Sequence, residues 1–133
     1  QERSAGAAGA TLEHKEERMV SCRLQMGEEE GGWRPFRLFL EIAPGWHVQA
    51  NPAAEPYLFA TEVRAEGGEL RNVRYPEGET WSPAFTKDTL KVYQGQVEIA
   101  GEVSEMKHLV LTYQPCNEGA CLPPVTRTLT APG

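Results

Sequence analysis

The chain has 133 residues, 40% of them hydrophobic and 24% charged, which is enough for one domain with its own core and excludes disorder throughout. Its formal net charge of −6 argues against nucleic acid and anionic membranes as partners, because both select basic surfaces. The sequence also lacks an apolar run long enough to cross a bilayer, so we expect a soluble domain whose signal or membrane anchor, if it has one, precedes Gln1.

The chain begins with a segment that has no apolar periodicity. Residues 1–17 combine small residues with a charged stretch, and we expect a flexible N-terminal tail there. From residue 18 onward apolar and polar residues alternate, which is the pattern of half-buried strands, and Gly, Pro and Asn separate the alternating segments. The predicted strands are 18–26, 33–42, 46–50, 57–65, 69–75, 90–103, 107–114 and 124–130.

This succession of short strands predicts the fold class. No segment shows the 3.6-residue period of an amphipathic helix, so residues 18–133 are expected to form a single all-β domain, an immunoglobulin-like antiparallel β-sandwich. A thioredoxin fold is excluded, because its cysteine pair would open a helix. The aromatic residues predicted to pack in the core are Trp33, Phe36, Phe39, Tyr57, Phe59, Tyr75 and Tyr93.

The three cysteines have different settings. Cys22 lies in an alternating strand and is predicted to be a buried, inert thiol. Cys116 and Cys121 are separated by four residues that include Asn117 and Gly119, which are suited to a turn, and Pro115 ends the strand that precedes them. The sequence therefore predicts a hairpin end at which the two sulfurs are close to each other and close to solvent.

Such a pair has three possible uses: a redox centre, a structural disulfide or a metal site. A disulfide that closes so short a loop contributes only about 2 kcal/mol by the chain-entropy model, which is little for a structural cross-link. A structural zinc site needs two further ligands at similar spacing, whereas the other candidates are scattered: His14, Cys22, His47 and His108. Electron exchange with the thiols of another protein is therefore the favoured use, and the other two remain open.

The charges near the pair indicate how it would react. Glu118 lies between the cysteines, and no Lys or Arg occurs from Gln114 to Thr126. Neither this setting nor a predicted helix N-terminus would stabilise a thiolate, so we expect no strongly depressed thiol pKa. A pair of this kind is suited to exchange inside a docked complex.

Three segments of the chain resemble a known family, the amino-terminal domain of the thiol:disulfide interchange protein DsbD, also called the disulfide bond corrector domain. They are Pro44-Gly-Trp-His-Val-Gln-Ala-Asn-Pro52, Val92-Tyr-Gln-Gly-Gln-Val-Glu-Ile99 and Tyr113-Gln-Pro-Cys-Asn-Glu-Gly-Ala-Cys-Leu-Pro-Pro-Val-Thr126. The resemblance implies an immunoglobulin-like thiol-disulfide oxidoreductase of the bacterial periplasm, with Cys116 and Cys121 as its redox pair and no other cofactor or metal.

The same resemblance implies partners. In that family the pair receives electrons from a thioredoxin-like domain, itself reduced through a membrane-embedded domain. It passes them to periplasmic thiol proteins such as disulfide isomerases and cytochrome c maturation factors. We expect a monomer that belongs to such a relay.

The resemblance also implies a loop that shields the disulfide, in the stretch between Pro76 and Tyr93. Trp81 and Phe85 are the candidates for this cover, with Phe85 as the lid; alternatively, both are core residues of an irregular connection. The best-known member has five residues between its cysteines, and its site-facing tyrosines are replaced here by the segment that would place His47 and Gln49 beside the sulfurs. His47 would then be a proton acceptor near neutral pH, or merely an exposed strand residue.

Two other functions remain as alternatives. The first is a non-catalytic immunoglobulin-like binding module whose disulfide stiffens a recognition loop. The second is a metal-binding periplasmic chaperone that uses the cysteines and His47.

Overall fold

The computed structural model describes residues 19–130, and the elements named within that range are eleven β-strands. The predicted tail, residues 1–17, lies outside the described residues. In chain order the strands are β1 (Val20–Met26), β2 (Arg34–Ile42), β3 (His47–Gln49), β4 (Glu62–Glu66), β5 (Glu69–Arg74), β6 (Glu79–Trp81), β7 (Leu90–Tyr93), β8 (Gln96–Ser104), β9 (His108–Tyr113), β10 (Pro115–Cys116) and β11 (Val125–Thr130).

All strand pairs are antiparallel, and the strands form three sheets with the orders β1-β2-β8-β5, β10-β3-β7-β6 and β11-β9-β4. The second and third sheets meet where β9 passes through Gln114 into β10. This arrangement confirms the predicted all-β, immunoglobulin-like antiparallel sandwich.

The core lies between the first sheet and the other two. Along β2 the burial alternates, so that Phe36, Leu38 and Leu40 point inward with at most 1% of their surface exposed. Leu109, Leu111 and Tyr113 of β9 are fully buried in the same cluster. Alternating burial is what the period of two predicts for strands with one face on a core.

Two of the predicted strands are wrong in their bounds. The predicted strand 57–65 is reduced to β4, because residues 55–58 form a turn in which Leu58 N–H donates to Glu55 O at 3.1 Å. The predicted strand 90–103 is divided into β7 and β8, which lie in different sheets and are separated by Gly95 with φ of 68°. A left-handed residue of this kind interrupts a strand, and glycine adopts it at little cost.

Four of the predicted core aromatics lie outside the core. Tyr57 and Phe59 are 60% and 51% exposed, because they fall in the connection before β4 rather than in a strand. Phe39 alternates outward on β2, where the Arg23 guanidinium covers its ring at 4.3 Å, and Trp33 is half-buried under Arg71 at 4.1 Å. The prediction was right for the others: Phe36, Tyr75 and Tyr93 belong to the core or pack against it.

Candidate redox site

Cys116 and Cys121 form a disulfide across a narrow hairpin. The two sulfurs are 2.09 Å apart and the two Cα atoms 3.9 Å apart. The backbone on either side of the bond is paired as well, since Asn117 N–H donates to Ala120 O at 2.9 Å and Leu122 N–H donates to Pro115 O at 2.8 Å. The disulfide therefore joins β10 to a chain segment that is already hydrogen-bonded to it.

The turn of this hairpin is held by its own side chain. Asn117 Oδ1 accepts hydrogen bonds from the backbone N–H groups of Gly119 at 2.8 Å and Ala120 at 3.0 Å. This is the local bonding for which asparagine is favoured in turns. The hairpin predicted from Pro115, Asn117 and Gly119 is present. Pro115 begins β10, which follows β9 in the chain but pairs with β3 in the neighbouring sheet.

The two cysteines differ in exposure. Cys116 has no exposed surface, whereas Cys121 is partly exposed. The expectation that both sulfurs are close to solvent is therefore wrong for Cys116. Its strand pairs with β3, with Cys116 opposite His47, and the neighbouring segments cover it. Within the described residues, Cys121 is therefore the cysteine of the pair that keeps surface open to another molecule.

Strand β3 presents one face to the core and the other to the disulfide. Val48 belongs to the core cluster, so His47 and Gln49 lie on the opposite face. Cys116 is the partner of His47, and directly paired residues place their side chains on the same face. The structure thus brings His47 and Gln49 to the side of the sheet that carries the disulfide.

Gln49 makes direct contact with the sulfurs. Its Nε2 lies 3.1 Å from Cys116 Sγ and 3.7 Å from Cys121 Sγ, and the residue is fully buried. Its Oε1 is also buried and has no hydrogen-bond partner in the part of the chain that the structure describes. Leaving a buried acceptor unsatisfied costs about 1–3 kcal/mol, so stability alone does not explain a glutamine here.

His47 is covered by the ring of Trp81. The two rings are stacked with centroids 3.9 Å apart, and Phe85 meets Trp81 edge-on at 6.3 Å. Desolvation lowers the pKa of His47 below its ordinary value, although a hydrogen bond with Gln94 and the charges of Glu118 and Glu79 partly oppose this shift. The imidazole is therefore neutral at neutral pH and able to accept a proton.

Residues 82–89, which we call the cover loop, connect β6 to β7 and rest on the hairpin. Ala84 N–H donates to Glu118 Oε1 at 3.2 Å, which ties the loop to the turn between the cysteines. Phe85 is 38% exposed, so it is not a core residue, and the half-buried Trp81 lies outside the core cluster as well. The alternative that both are core residues is wrong.

A second loop, residues 51–61 before β4, adjoins the hairpin on another side. Gln114 connects the two, because its Oε1 accepts from Phe59 N–H at 3.0 Å and its Nε2 donates to Leu122 O at 3.2 Å. Tyr57 Oη donates to Asp88 Oδ2 of the cover loop at 2.5 Å. Hydrogen bonds thus link the hairpin to the cover loop, the hairpin to the second loop, and the two loops to each other.

Sequence reasoning missed this second loop and its exposed aromatic residues. Among residues 19–130 the large hydrophobic side chains that are exposed are Tyr57, Phe59 and Phe85, and all three lie on the loops beside the hairpin. Pro52 and Pro56 were the available signal, since two prolines within five residues are atypical of the approach to a regular strand.

The remaining predicted site features lie elsewhere. Cys22 is on β1 and is half-buried rather than fully buried. In the described range no group of three or more His, Cys, Asp or Glu side chains is placed to hold a metal ion, and His14 lies outside that range. Nor does that range contain a helix long and apolar enough to span a membrane.

Comparison with known proteins identifies the family. The family model for the thiol:disulfide interchange protein DsbD, N-terminal, matches residues 20–132. The chain belongs to the DsbD N-terminal family. This confirms the resemblance seen in the three sequence segments.

Individual relatives agree with the family. The chain is 29% identical over 92 residues to the thiol:disulfide interchange protein DsbD of Pasteurella multocida, a match that covers 67% of this chain and 14% of that protein. The match thus spans about one seventh of the length of this relative. Family membership and the disulfide together assign the domain a general role in thiol-disulfide interchange.

Two solved structures share the fold. The N-terminal periplasmic domain of ScsB from Proteus mirabilis aligns with a TM-score of 0.65 and 17% identity, covering 84% of this chain and 46% of that one. The reduced N-terminal domain of DsbD from Neisseria meningitidis aligns with a TM-score of 0.55 and 22% identity, covering 88% and 89% of the two chains.

Proposed function

We propose that this domain is a thiol-disulfide oxidoreductase of the bacterial periplasm that relays reducing equivalents through Cys116 and Cys121. The observation that carries the proposal is a DsbD N-terminal domain whose disulfide is covered on the Cys116 side and open on the Cys121 side. The donor is a thioredoxin-like domain. The acceptors are disulfides of other periplasmic proteins, including disulfide isomerases and cytochrome c maturation factors.

The uptake of electrons proceeds in two steps. A donor thiolate attacks Cys121 Sγ, the bond between the two cysteines breaks, and Cys116 leaves as a thiolate. The second donor thiol loses its proton and attacks the donor sulfur of this mixed disulfide, which releases Cys121 as a thiolate. Once both thiolates have taken up protons, two electrons have passed from the donor dithiol, now a disulfide, to this domain.

The delivery of electrons is the reverse reaction with a different partner. The Cys121 thiolate attacks the acceptor disulfide, and Cys116 then attacks Cys121 Sγ in the mixed disulfide, which restores the internal bond and frees the acceptor as a dithiol. Both thiols must lose a proton in this direction. His47, on the same face as the disulfide and neutral at neutral pH, is the proposed acceptor of one of them.

The charges of the site favour exchange inside a complex over reaction with free thiols. Glu118 and Glu79 both act on His47 and thus lie near the hairpin, and acidic groups disfavour a thiolate. The cover loop also limits approach from solvent. A docked partner would have to supply the thiolate and reach the partly exposed Cys121 beside the cover loop, which agrees with exchange inside a complex.

Trapping with single-cysteine variants tests this proposal. On a Cys22→Ser background, Cys116→Ser leaves Cys121 as the single cysteine, and Cys121→Ser leaves the buried Cys116 as the matched control. Each is mixed with a thioredoxin-like protein that carries one cysteine activated as its thionitrobenzoate disulfide, and release of thionitrobenzoate reports the mixed disulfide. We expect reaction through Cys121 to be at least tenfold faster. If neither variant reacted, the disulfide would be structural and the domain a non-catalytic binding module.

A further inference from the structure

We propose that Gln49 is a catalytic residue whose carboxamide stabilises Cys116 as the departing thiolate. This inference rests on the proposed exchange function and adds to it the group that receives the charge. Gln49 Nε2 is a donor in contact with the Cys116 sulfur, whereas Glu118 and Glu79, the charged groups that act on the neighbouring His47, are acidic.

The first observation is the direction of the carboxamide. Gln49 Nε2 lies 3.1 Å from Cys116 Sγ but 3.7 Å from Cys121 Sγ, so the donor is aimed at the buried sulfur. A disulfide carries no hydrogen, so an amide that faces it presents its N–H group rather than its oxygen. The donor is therefore already placed at the sulfur that carries negative charge once Cys121 has been attacked.

The second observation concerns the hydrogen-bond partners of the carboxamide. In the portion of the chain that the structure describes, the hydrogen bonds of the Gln49 side chain both go to sulfur, and its Oε1 has no partner. A glutamine kept for packing or for holding a loop would be expected to bond to the protein, as Gln114 does through Phe59 N–H and Leu122 O.

The third observation is that the donor is held in place. The backbone N–H of Gln49 donates to Gln114 O at 3.3 Å, and its carbonyl oxygen accepts from Thr61 N–H at 3.1 Å and Thr61 Oγ1 at 2.7 Å. The residue is fully buried. A donor fixed before the reaction stabilises developing charge without having to reorganise.

These observations make the hydrogen bond stronger in the transition state than in the disulfide. As the partner thiolate bonds to Cys121 Sγ, the electron pair of the breaking bond moves to Cys116 Sγ. A hydrogen bond to a charged acceptor is stronger than one to a neutral acceptor, so the Nε2–H contact gains strength as the charge grows. A contact that strengthens in this way accelerates the step.

The experiment measures the pKa of Cys116 in a Cys22→Ser/Cys121→Ser protein, where it is the one remaining thiol, by ultraviolet absorbance of the thiolate. Replacing Gln49 by Met removes the donor with little change in volume, and we expect the thiol pKa to rise by about one unit. Gln25→Met, at an exposed position of β1 in another sheet, is the control and should leave this pKa unchanged. Reduction of the disulfide by dithiothreitol should slow about tenfold in Gln49→Met with both cysteines present.

A second readout needs no change at Gln49. The side-chain NH₂ resonances of Gln49 in the Cys121→Ser protein should move with the ionisation of Cys116, and those of Gln25 on β1 should not. Unchanged Gln49 resonances, or an unchanged thiol pKa in a folded Gln49→Met protein, would overturn the inference. Because titration and dithiothreitol require no protein partner, this failure is distinct from a failure of trapping, which would overturn the proposed function itself.

Discussion

At the scale of single residues, the two cysteines are not equivalent although they share one bond. Cys116 is enclosed by β3 and contacted by Gln49, whereas Cys121 keeps part of its surface exposed. A symmetric structural bridge would have no need of this difference. This difference in exposure suits the two sulfurs to different steps, because an exposed cysteine can be attacked and an enclosed sulfur can leave with its charge stabilised.

His47 allows a prediction about acid stability. Desolvation lowers its pKa in the folded state, so the unfolded chain takes up this proton first as the pH falls. The free energy of unfolding is therefore unaffected by His47 at pH values above its ordinary pKa of about 6.5, and it decreases as the pH falls below that value. In His47→Gln we expect a smaller loss of unfolding free energy between about pH 7 and 5, measured by urea denaturation.

The control for this measurement is His108→Gln, because His108 lies on β9 away from the stacked pair. If wild type and His47→Gln lost stability equally over that interval, desolvation of His47 would not be what makes the fold sensitive to acid.

At the scale of elements, the hairpin was predictable and the contacts around it were not. Pro115, Asn117 and Gly119 act on the backbone next to them, so their effect can be predicted from local sequence. The contact of Gln49 with Cys116 joins residues 67 positions apart, and only the family resemblance suggested it. Alternation likewise predicted most strands but not the break at Gly95, which depends on the pairing of β7 and β8 with different sheets.

The cover loop also allows a prediction at this scale. Glu118→Ala removes the acceptor for Ala84 N–H and should free the loop from the hairpin. One net hydrogen bond is worth roughly 0.5–1.5 kcal/mol, so we expect reduction of the disulfide by dithiothreitol to become about two- to tenfold faster. Phe85→Ala should act in the same direction, because its ring contacts Trp81 over the site.

Charge needs a separate control, since the loss of an acidic group also favours the approach of a thiolate. Glu79→Ala removes a neighbouring acidic group that bonds to Gln94 rather than to the cover loop. If Glu79→Ala accelerated reduction as much as Glu118→Ala, the effect would be electrostatic and the loop contact would not shield the disulfide.

At the scale of the whole molecule, the two faces of one short sheet have different surroundings, the apolar core on one side and the disulfide site on the other. The core face of β10-β3-β7-β6 carries Val48 and Tyr93, and the opposite face carries Gln49, Cys116 and the loops that cover them. Period-two patterning predicted the core face, because burial selects apolar residues there. The opposite face is irregular in sequence, and it is there that this chain carries its cysteine pair.

The central claim is that the bond between Cys116 and Cys121 is exchanged rather than permanent. The reduction potential of this disulfide, measured by equilibration with glutathione or thioredoxin redox buffers, tests it most directly. A relay requires a potential in the range of exchange proteins, about −120 to −270 mV. A value below about −300 mV, typical of structural disulfides in secreted proteins, would contradict the claim.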